Sequence, residues 1–143
     1  MAALGFVLDA SVTIRWALAD GSSSDRNYAD AVLASLSTTP AHVPVLWCTE
    51  IIHVLRGAET AGKIGEATVA AFVYQLNQLP INIDGAGAFG LMLPVAATAR
   101  EFNASGYDAQ YLELARRLNV PFATLDRDLR KAAKKAGVPI YLG

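Results

Sequence analysis

Four acidic residues of this 143-residue chain stand where they could do chemistry: Asp9, Glu50, Asp108 and Asp126. Asp9 follows the apolar run Phe6-Val7-Leu8, and Asp126 follows Pro121-Phe122-Ala123-Thr124-Leu125. Both runs read as buried strands. In an open α/β sheet, sites form beyond the carboxyl ends of the strands, which puts both acids at one edge. Each could instead cap the helix that follows. For Asp9, Ser11 is an equally good cap, which frees the carboxylate. For Asp126, capping is a full account by itself, with Asp128 competing for the cap. Glu50 lies in a helical stretch with Leu46, Trp47 and Val54 at i−4, i−3 and i+4. On that partly apolar face a carboxylate needs a cation or a hydrogen-bonding partner, unless it merely edges the stripe. Asp108 heads the stripe Tyr111, Leu112, Ala115 and Leu118, although Ser105-Gly106-Tyr107-Asp108 also fits a helix-start capping box.

No acid decides alone, and the set does more. Four carboxylates drawn within about 4 to 6 Å of one another repel by several kcal/mol at an effective dielectric near 20. A hard divalent cation relieves that repulsion. Oxygen-only ligands favour magnesium or manganese over zinc. Carboxylates holding one or two such ions suit phosphodiester hydrolysis, where the metal activates water and stabilises charge growing on the phosphate.

The elements that must position these acids alternate between strand and helix. Strands are predicted at residues 6–8, 42–45, 81–83, 121–125 and 138–141. Helices are predicted at 11–19, from the Gly21-Ser22-Ser23-Ser24 loop to about Leu36, at 46–60, 66–79, about 87–102 with a kink at Pro94, 107–118 and 128–136. One of the serines caps the second helix. The pattern predicts a single domain over 1–143: a three-layer α/β/α sandwich with a central, mostly parallel sheet.

Composition agrees. Hydrophobic residues make up 53%, which excludes disorder, and the chain is long enough to bury a core without staples. The single cysteine, Cys48, excludes an internal disulfide framework and suits a reducing cytoplasm. In a lone apolar helix position it reads as core rather than nucleophile. Met1–Gly5 carries no basic leader, so no secretory signal is expected. The uncharged run Gly85–Ala99 is shorter than the roughly 20 residues a membrane span needs. A net charge of −1 excludes a strongly basic nucleic-acid binder but not a local basic patch.

The residues also match a known pattern. Phe6-Val7-Leu8-Asp9-Ala10-Ser11-Val12, Trp47-Cys48-Thr49-Glu50-Ile51-Ile52-His53-Val54-Leu55, Tyr107-Asp108-Ala109-Gln110-Tyr111-Leu112-Glu113-Leu114-Ala115 and Thr124-Leu125-Asp126-Arg127-Asp128-Leu129 follow one another in order. Together they resemble the four acidic motifs of the PIN-domain nucleases, and within them the VapC-type toxins of bacterial toxin–antitoxin pairs. The resemblance spans nearly the whole chain. It implies magnesium- or manganese-dependent cleavage of RNA, inhibition by a cognate antitoxin and a homodimer. It implies that Asp9, Glu50, Asp108 and Asp126 hold the metal, with Asp126 or its rival Asp128 as the fourth acid. It further implies that Ser11 and Thr124 help hold water around the ion. His53 departs from the family's frequent Asn and is expected to pack or to face solvent, with contact to substrate as the alternative.

Arg15 follows Asp9 by one to two turns and could reach the cleft mouth. Arg127 and Arg130 belong to a basic helix beside Asp126. That helix could hold RNA phosphates or present a solvated face whose positive charge favours its C-terminal end. Gly85-Ala86-Gly87-Ala88-Phe89-Gly90 fits a dinucleotide fingerprint, but the acid expected about 20 residues on, at a strand end, is missing. A phosphotransfer domain would need an acid where Ser11 stands, or paired acids just before Asp9. The remaining alternative is an inactive PIN-like module that binds RNA or a partner; retention of all four acids argues against it.

Overall fold

The computed structural model describes residues 5–85 and 88–143. Met1–Leu4, and Ala86 and Gly87 of the glycine-rich stretch, lie outside the described residues, and the readings placed on them are untouched.

Among the described residues four parallel strands form the sheet: β1 (Phe6–Leu8), β2 (Ala41–Val43), β3 (Ile81–Ile83) and β4 (Phe122–Ala123), in the order β3-β2-β1-β4. The register pairs Val7 with His42 on one side and with Phe122 on the other. β1 is wholly buried, as the central strand of a sheet covered on both faces should be. Parallel neighbours need crossover connections, and helices supply them. α1 (Ala10–Thr13), a 3₁₀ turn (Ile14–Trp16) and α2 (Ser23–Ser35) join β1 to β2; α3 (Val45–Thr60) and α4 (Glu66–Asn77) join β2 to β3. α5 (Ala88–Phe102) and α6 (Gly106–Leu118) carry the chain back to the far side of β1, and α7 (Arg127–Lys135) follows β4. The result is the α/β/α sandwich expected.

The chain therefore leaves β1 toward β2 but returns to β4 on the other side. The gap between the ends of β1 and β4 is the topological switch point, where open sheets hold ligands. The core beneath it is apolar: Phe6, Leu8, Val12, Leu55, Leu112, Leu114 and Phe122 are all 1% exposed or less.

Local chemistry explains where the elements end. Ser22 caps α2, and its hydroxyl accepts from the Asp25 N–H. Ser105 does the same for α6 through the Asp108 N–H. α6 stops at Asn119, which takes the left-handed conformation (φ 56°) common for Asn after a helix.

Three expectations are corrected. The helix foreseen over 11–19 is one turn of α-helix followed by a 3₁₀ turn, pinned where the Trp16 indole donates to the Ala29 carbonyl at 2.8 Å. The strand foreseen over 42–45 is Ala41–Val43, because Pro44 already stands at the start of α3. The strand foreseen over 138–141 shrinks to one bridge, Ile140 against Phe122. Pro139 has no N–H to extend a ladder, and Tyr141 instead stacks flat on Phe6 with ring centroids 3.9 Å apart.

Candidate active site

Asp9 sits immediately after β1, at the start of α1, and is 6% exposed. It stands in the capping position, yet its side chain makes no cap hydrogen bond. The carboxylate is held from elsewhere. Ser11 Oγ donates to Asp9 Oδ2 at 2.6 Å, and Thr124 Oγ1 donates to the same oxygen at 2.7 Å. Those hydroxyls are fixed in turn: Ser11 Oγ accepts from the Leu125 N–H and Thr124 Oγ1 from the Asp126 N–H. Ser11 is thus no helix cap, as the sequence had allowed. It bridges the ends of β1 and β4.

Glu50 lies within α3 and is half-buried. Its partner is Tyr111 of α6, whose hydroxyl donates to Oε1 at 2.5 Å. Tyr111 is 1% exposed and stacks against Phe122 of β4. Asp108 heads α6, one turn before Tyr111. Among the described residues its carboxylate makes no hydrogen bond, so the reciprocal half of a capping box is not formed. Asp126 caps α7: its Oδ1 accepts from the N–H groups of Asp128 and Leu129 at 2.9 and 3.1 Å.

One open cleft of about 470 Å³ is lined by all four acids, together with Ser11, Arg15 and Asp25. Asp128 does not line it. Asp128 lines a neighbouring cavity that shares Asp108 as a wall. Position therefore favours Asp126 over Asp128.

The electrostatics follow from burial and crowding. Burial pushes the Asp9 carboxyl up to about 6; the Ser11 and Thr124 hydroxyls pull it down, and the Glu50 and Asp108 carboxylates push it further up. Glu50 is raised by burial and by Asp108, against the pull of Tyr111. Asp108 is raised by burial, then by Asp126 and Asp128. The four acids thus form one repelling set, with Asp108 in electrostatic reach of the other three.

The donors fit a hard divalent cation. All are oxygens, and each of the four carboxylates keeps at least one oxygen free of hydrogen bonds among the described residues. As the side chains stand, among the described residues no three His, Cys, Asp or Glu groups form a closed cage for one ion. Asp9, Glu50 and Asp126 each spend an oxygen on the protein. Oxygen donors of this kind suit an ion that keeps part of its water, as magnesium does.

The supporting cations separate. Arg15 lines the cleft but is held by Asp20, through its carboxylate and its carbonyl. Gly21, at φ 96°, gives that guanidinium room. Arg130 turns inward: its Nε donates to the Thr124 carbonyl at 2.7 Å and its guanidinium covers the Tyr28 ring. Arg127 is exposed in the first turn of α7, and His53 is exposed on α3. Cys48 is partly buried against the core, and burial pushes its thiol up.

Two cleft-associated residues were not singled out by sequence reasoning. Asp25, in the first turn of α2, carries only the signal of an acid at a helix start. Tyr111 is one member of an apolar stripe, and nothing in its spacing marks the hydroxyl as a partner for Glu50.

Comparison with known proteins gives the same reading from another direction. Over 110 residues the chain is 31% identical to Ribonuclease VapC3 of Mycobacterium tuberculosis, in strain CDC 1551 / Oshkosh and likewise in strain ATCC 25618 / H37Rv. The match covers 77% of this chain and 76% of the relative. A solved structure, that of PAE2754 from Pyrobaculum aerophilum, superposes with a TM-score of 0.66 at 19% identity, over 91% of this chain and 80% of that one; this speaks for the fold alone. Residues 6–135 match the family model for the PIN domain, a span that starts at β1, ends with α7 and takes in every acid of the cleft. The chain belongs to the PIN domain family.

Proposed function

We propose that the chain is a magnesium- or manganese-dependent endoribonuclease, the toxin of a type II toxin–antitoxin module. One observation carries the reading: four carboxylates from β1, α3, α6 and the β4–α7 junction line one cleft at the switch point of the sheet. Likeness to a ribonuclease supports RNA as the substrate.

Asp9, Asp108, Glu50 and Asp126 would hold the ion, and a divalent ion so held supplies a polarised water and screens charge growing on the phosphate. The chain's own groups do the rest. Ser11 and Thr124 fix one oxygen of Asp9 and leave the other for the cleft. Tyr111 fixes Glu50. Glu50 and Asp108 are raised from their ordinary values by burial and by neighbouring carboxylates, a charge that the ion would offset. Arg15 is the arginine that lines the cleft beside these acids among the described residues.

The proposal includes a cognate antitoxin that inhibits the site, a homodimer and a cytoplasmic location. Among the described residues no helix is long and apolar enough to cross a membrane. The test is direct. Protein freed of antitoxin should cleave RNA when magnesium or manganese is added, and Asp9→Ala or Asp108→Ala should abolish cleavage while the far-ultraviolet circular dichroism stays unchanged. If the purified wild-type chain cleaves no RNA with either ion, the nuclease reading fails.

A further inference from the structure

The acid cleft poses a problem for a polyanionic substrate. Its four carboxylates repel a phosphate backbone, and a bound ion offsets only part of that charge. Cations beyond the ion would offset the rest, and five of the chain's twelve arginines and lysines are already committed among the described residues. Arg15, Arg56, Arg116 and Arg117 are ion-paired with Asp20, Glu59, Glu101 and the Asp84–Glu113 pair. Arg130 is turned in on Thr124 and Tyr28.

With Arg130 turned inward, seven arginines and lysines have no ion pair among the described residues, and four of them stand together on α7: Arg127, Lys131, Lys134 and Lys135. The other three, Arg26, Lys63 and Arg100, are scattered over α2, the α3–α4 turn and α5. Two of the four on α7 share a destination. Lys131 and Lys135, one turn apart on one helix face, both line the cavity of about 330 Å³ on the far side of Asp108. The helix rise sets them about 6 Å apart along its axis, near the length of one extended nucleotide.

This cavity adjoins the acid cleft, because Asp108 walls both. It also has a gradient. Asp128, beside Asp108, marks its acidic end, and the two lysines lie one to two turns further along α7. Asn103 and Ser105 complete its polar lining.

We propose that this second cavity is a subsite for the phosphate backbone of single-stranded RNA leaving the scissile bond, with Lys131 and Lys135 as its phosphate contacts. The strand would cross Asp108 from the acid cleft and settle on the two free lysines. The assignment rests on the nuclease reading above but concerns where the strand runs, not how it is cut. An acidic segment of a protein partner would suit the same lysines; the free cations beside the cleavage site favour RNA.

The experiment measures affinity for RNA without cleavage. Asp9→Asn protein in magnesium buffer is titrated against a fluorescein-labelled single-stranded RNA long enough to fill both cavities. The same is done after adding Lys131→Glu and Lys135→Glu together, and after adding Lys134→Glu, a control on the same helix but outside the cavity. The double change should weaken binding by about tenfold or more and lower the dependence of log K on log salt by about 1.4, the slope expected for two lost phosphate contacts on a single strand. Lys134→Glu should weaken it less than about twofold. Equal losses in the two variants, or no loss in either, would overturn the subsite and leave the nuclease reading standing. Loss confined to the double variant, in a protein whose wild-type form cleaves nothing, would uphold the subsite and count against the nuclease reading instead.

Discussion

The two carboxylates that end β1 and β4 face one cleft but are held in opposite ways. Asp9 is buried, caps nothing and leans on two hydroxyls, one of them 115 residues away in sequence. Asp126 is exposed and gives one oxygen to the first turn of α7. A buried carboxylate with no cationic partner costs stability unless something neutralises it. An exposed cap contributes stability with or without a ligand. The contrast teaches that demand for a cation is concentrated at Asp9, whereas Asp126 serves the fold first and the site second.

The largest expected effect divides the pair by activity. Asp9→Asn keeps the acceptor that Ser11 and Thr124 need but removes the charge. It should lower single-turnover RNA cleavage by about 10³-fold or more, the scale of losing a principal electrostatic group. Asp126→Asn, in a residue that is half structural, should lower it by about 10- to 100-fold. Equal losses would break the comparison and make the two acids equivalent ligands.

The next effect divides them by pH. The Asp9 carboxyl is pushed up to about 6 in the fold, against an ordinary value of 3.8. The metal-free folded chain therefore binds this proton more tightly than the unfolded chain does. That contribution is fully present below about pH 4 and is lost as pH rises through 6, amounting to about 3 kcal/mol at 1.36 kcal/mol per unit. Glu50 and Asp108 are raised as well and add in the same direction, weakened by their contact with water. Thermal melts of metal-free protein should thus fall by roughly 5–10 °C between pH 4 and 7.5, at about 2–4 °C per kcal/mol. Asp9→Asn should flatten most of that slope, and magnesium or manganese at pH 7.5 should restore the wild-type melt. A wild-type slope that survives Asp9→Asn unchanged would sink the claim that demand for a cation is concentrated at Asp9.

Tyr111 is a smaller lever on the same contrast. Its hydroxyl fixes Glu50, and burial together with the Asp9 and Glu50 carboxylates pushes that phenol well above its ordinary range, so it stays a donor. Tyr111→Phe keeps the stacking on Phe122 and removes one hydrogen bond to a charged group, worth about 1.5–3 kcal/mol. Cleavage should fall by about tenfold or more if that bond orients Glu50, with weaker manganese binding by calorimetry. Unchanged manganese affinity would reduce Tyr111 to packing.

What was legible in the sequence follows the range of the interactions. α6 could be read closely because its signals are local: the Ser105–Asp108 capping pattern and the stripe Tyr111, Leu112 and Ala115 lie within one short stretch, although Leu118, at the end of that stripe, is 36% exposed. The acids were found because strand ends and helix faces announce themselves by periodicity. The support beneath them was hidden. Ser11 to the Leu125 N–H, Thr124 to Asp9 and Tyr111 to Glu50 join residues 61 to 115 positions apart, and no spacing rule links them. The last strand was misjudged for a related reason: Val138-Pro139-Ile140-Tyr141 has strand-like residues, but its outcome depends on a ring stacked on Phe6. The competing accounts of Asp126, cap or ligand, could not be separated by sequence because the structure lets it be a cap on one oxygen and line the cleft as well.

That double duty gives the finest test. Asp126→Ala should cost about 1 kcal/mol through loss of the α7 cap, a fall in melting temperature of about 2–4 °C. Asp126→Ser supplies a hydroxyl that caps almost as well, so it should melt close to wild type. It has no carboxylate, so its cleavage should remain as low as that of the alanine variant. Stability and activity then part company at one position. If serine restored both, the carboxylate would have no role at the cleft beyond starting α7, and the site would rest on Asp9, Glu50 and Asp108. If serine restored neither, the cap seen between Asp126 and the Asp128 and Leu129 N–H groups would not be what holds α7 in place.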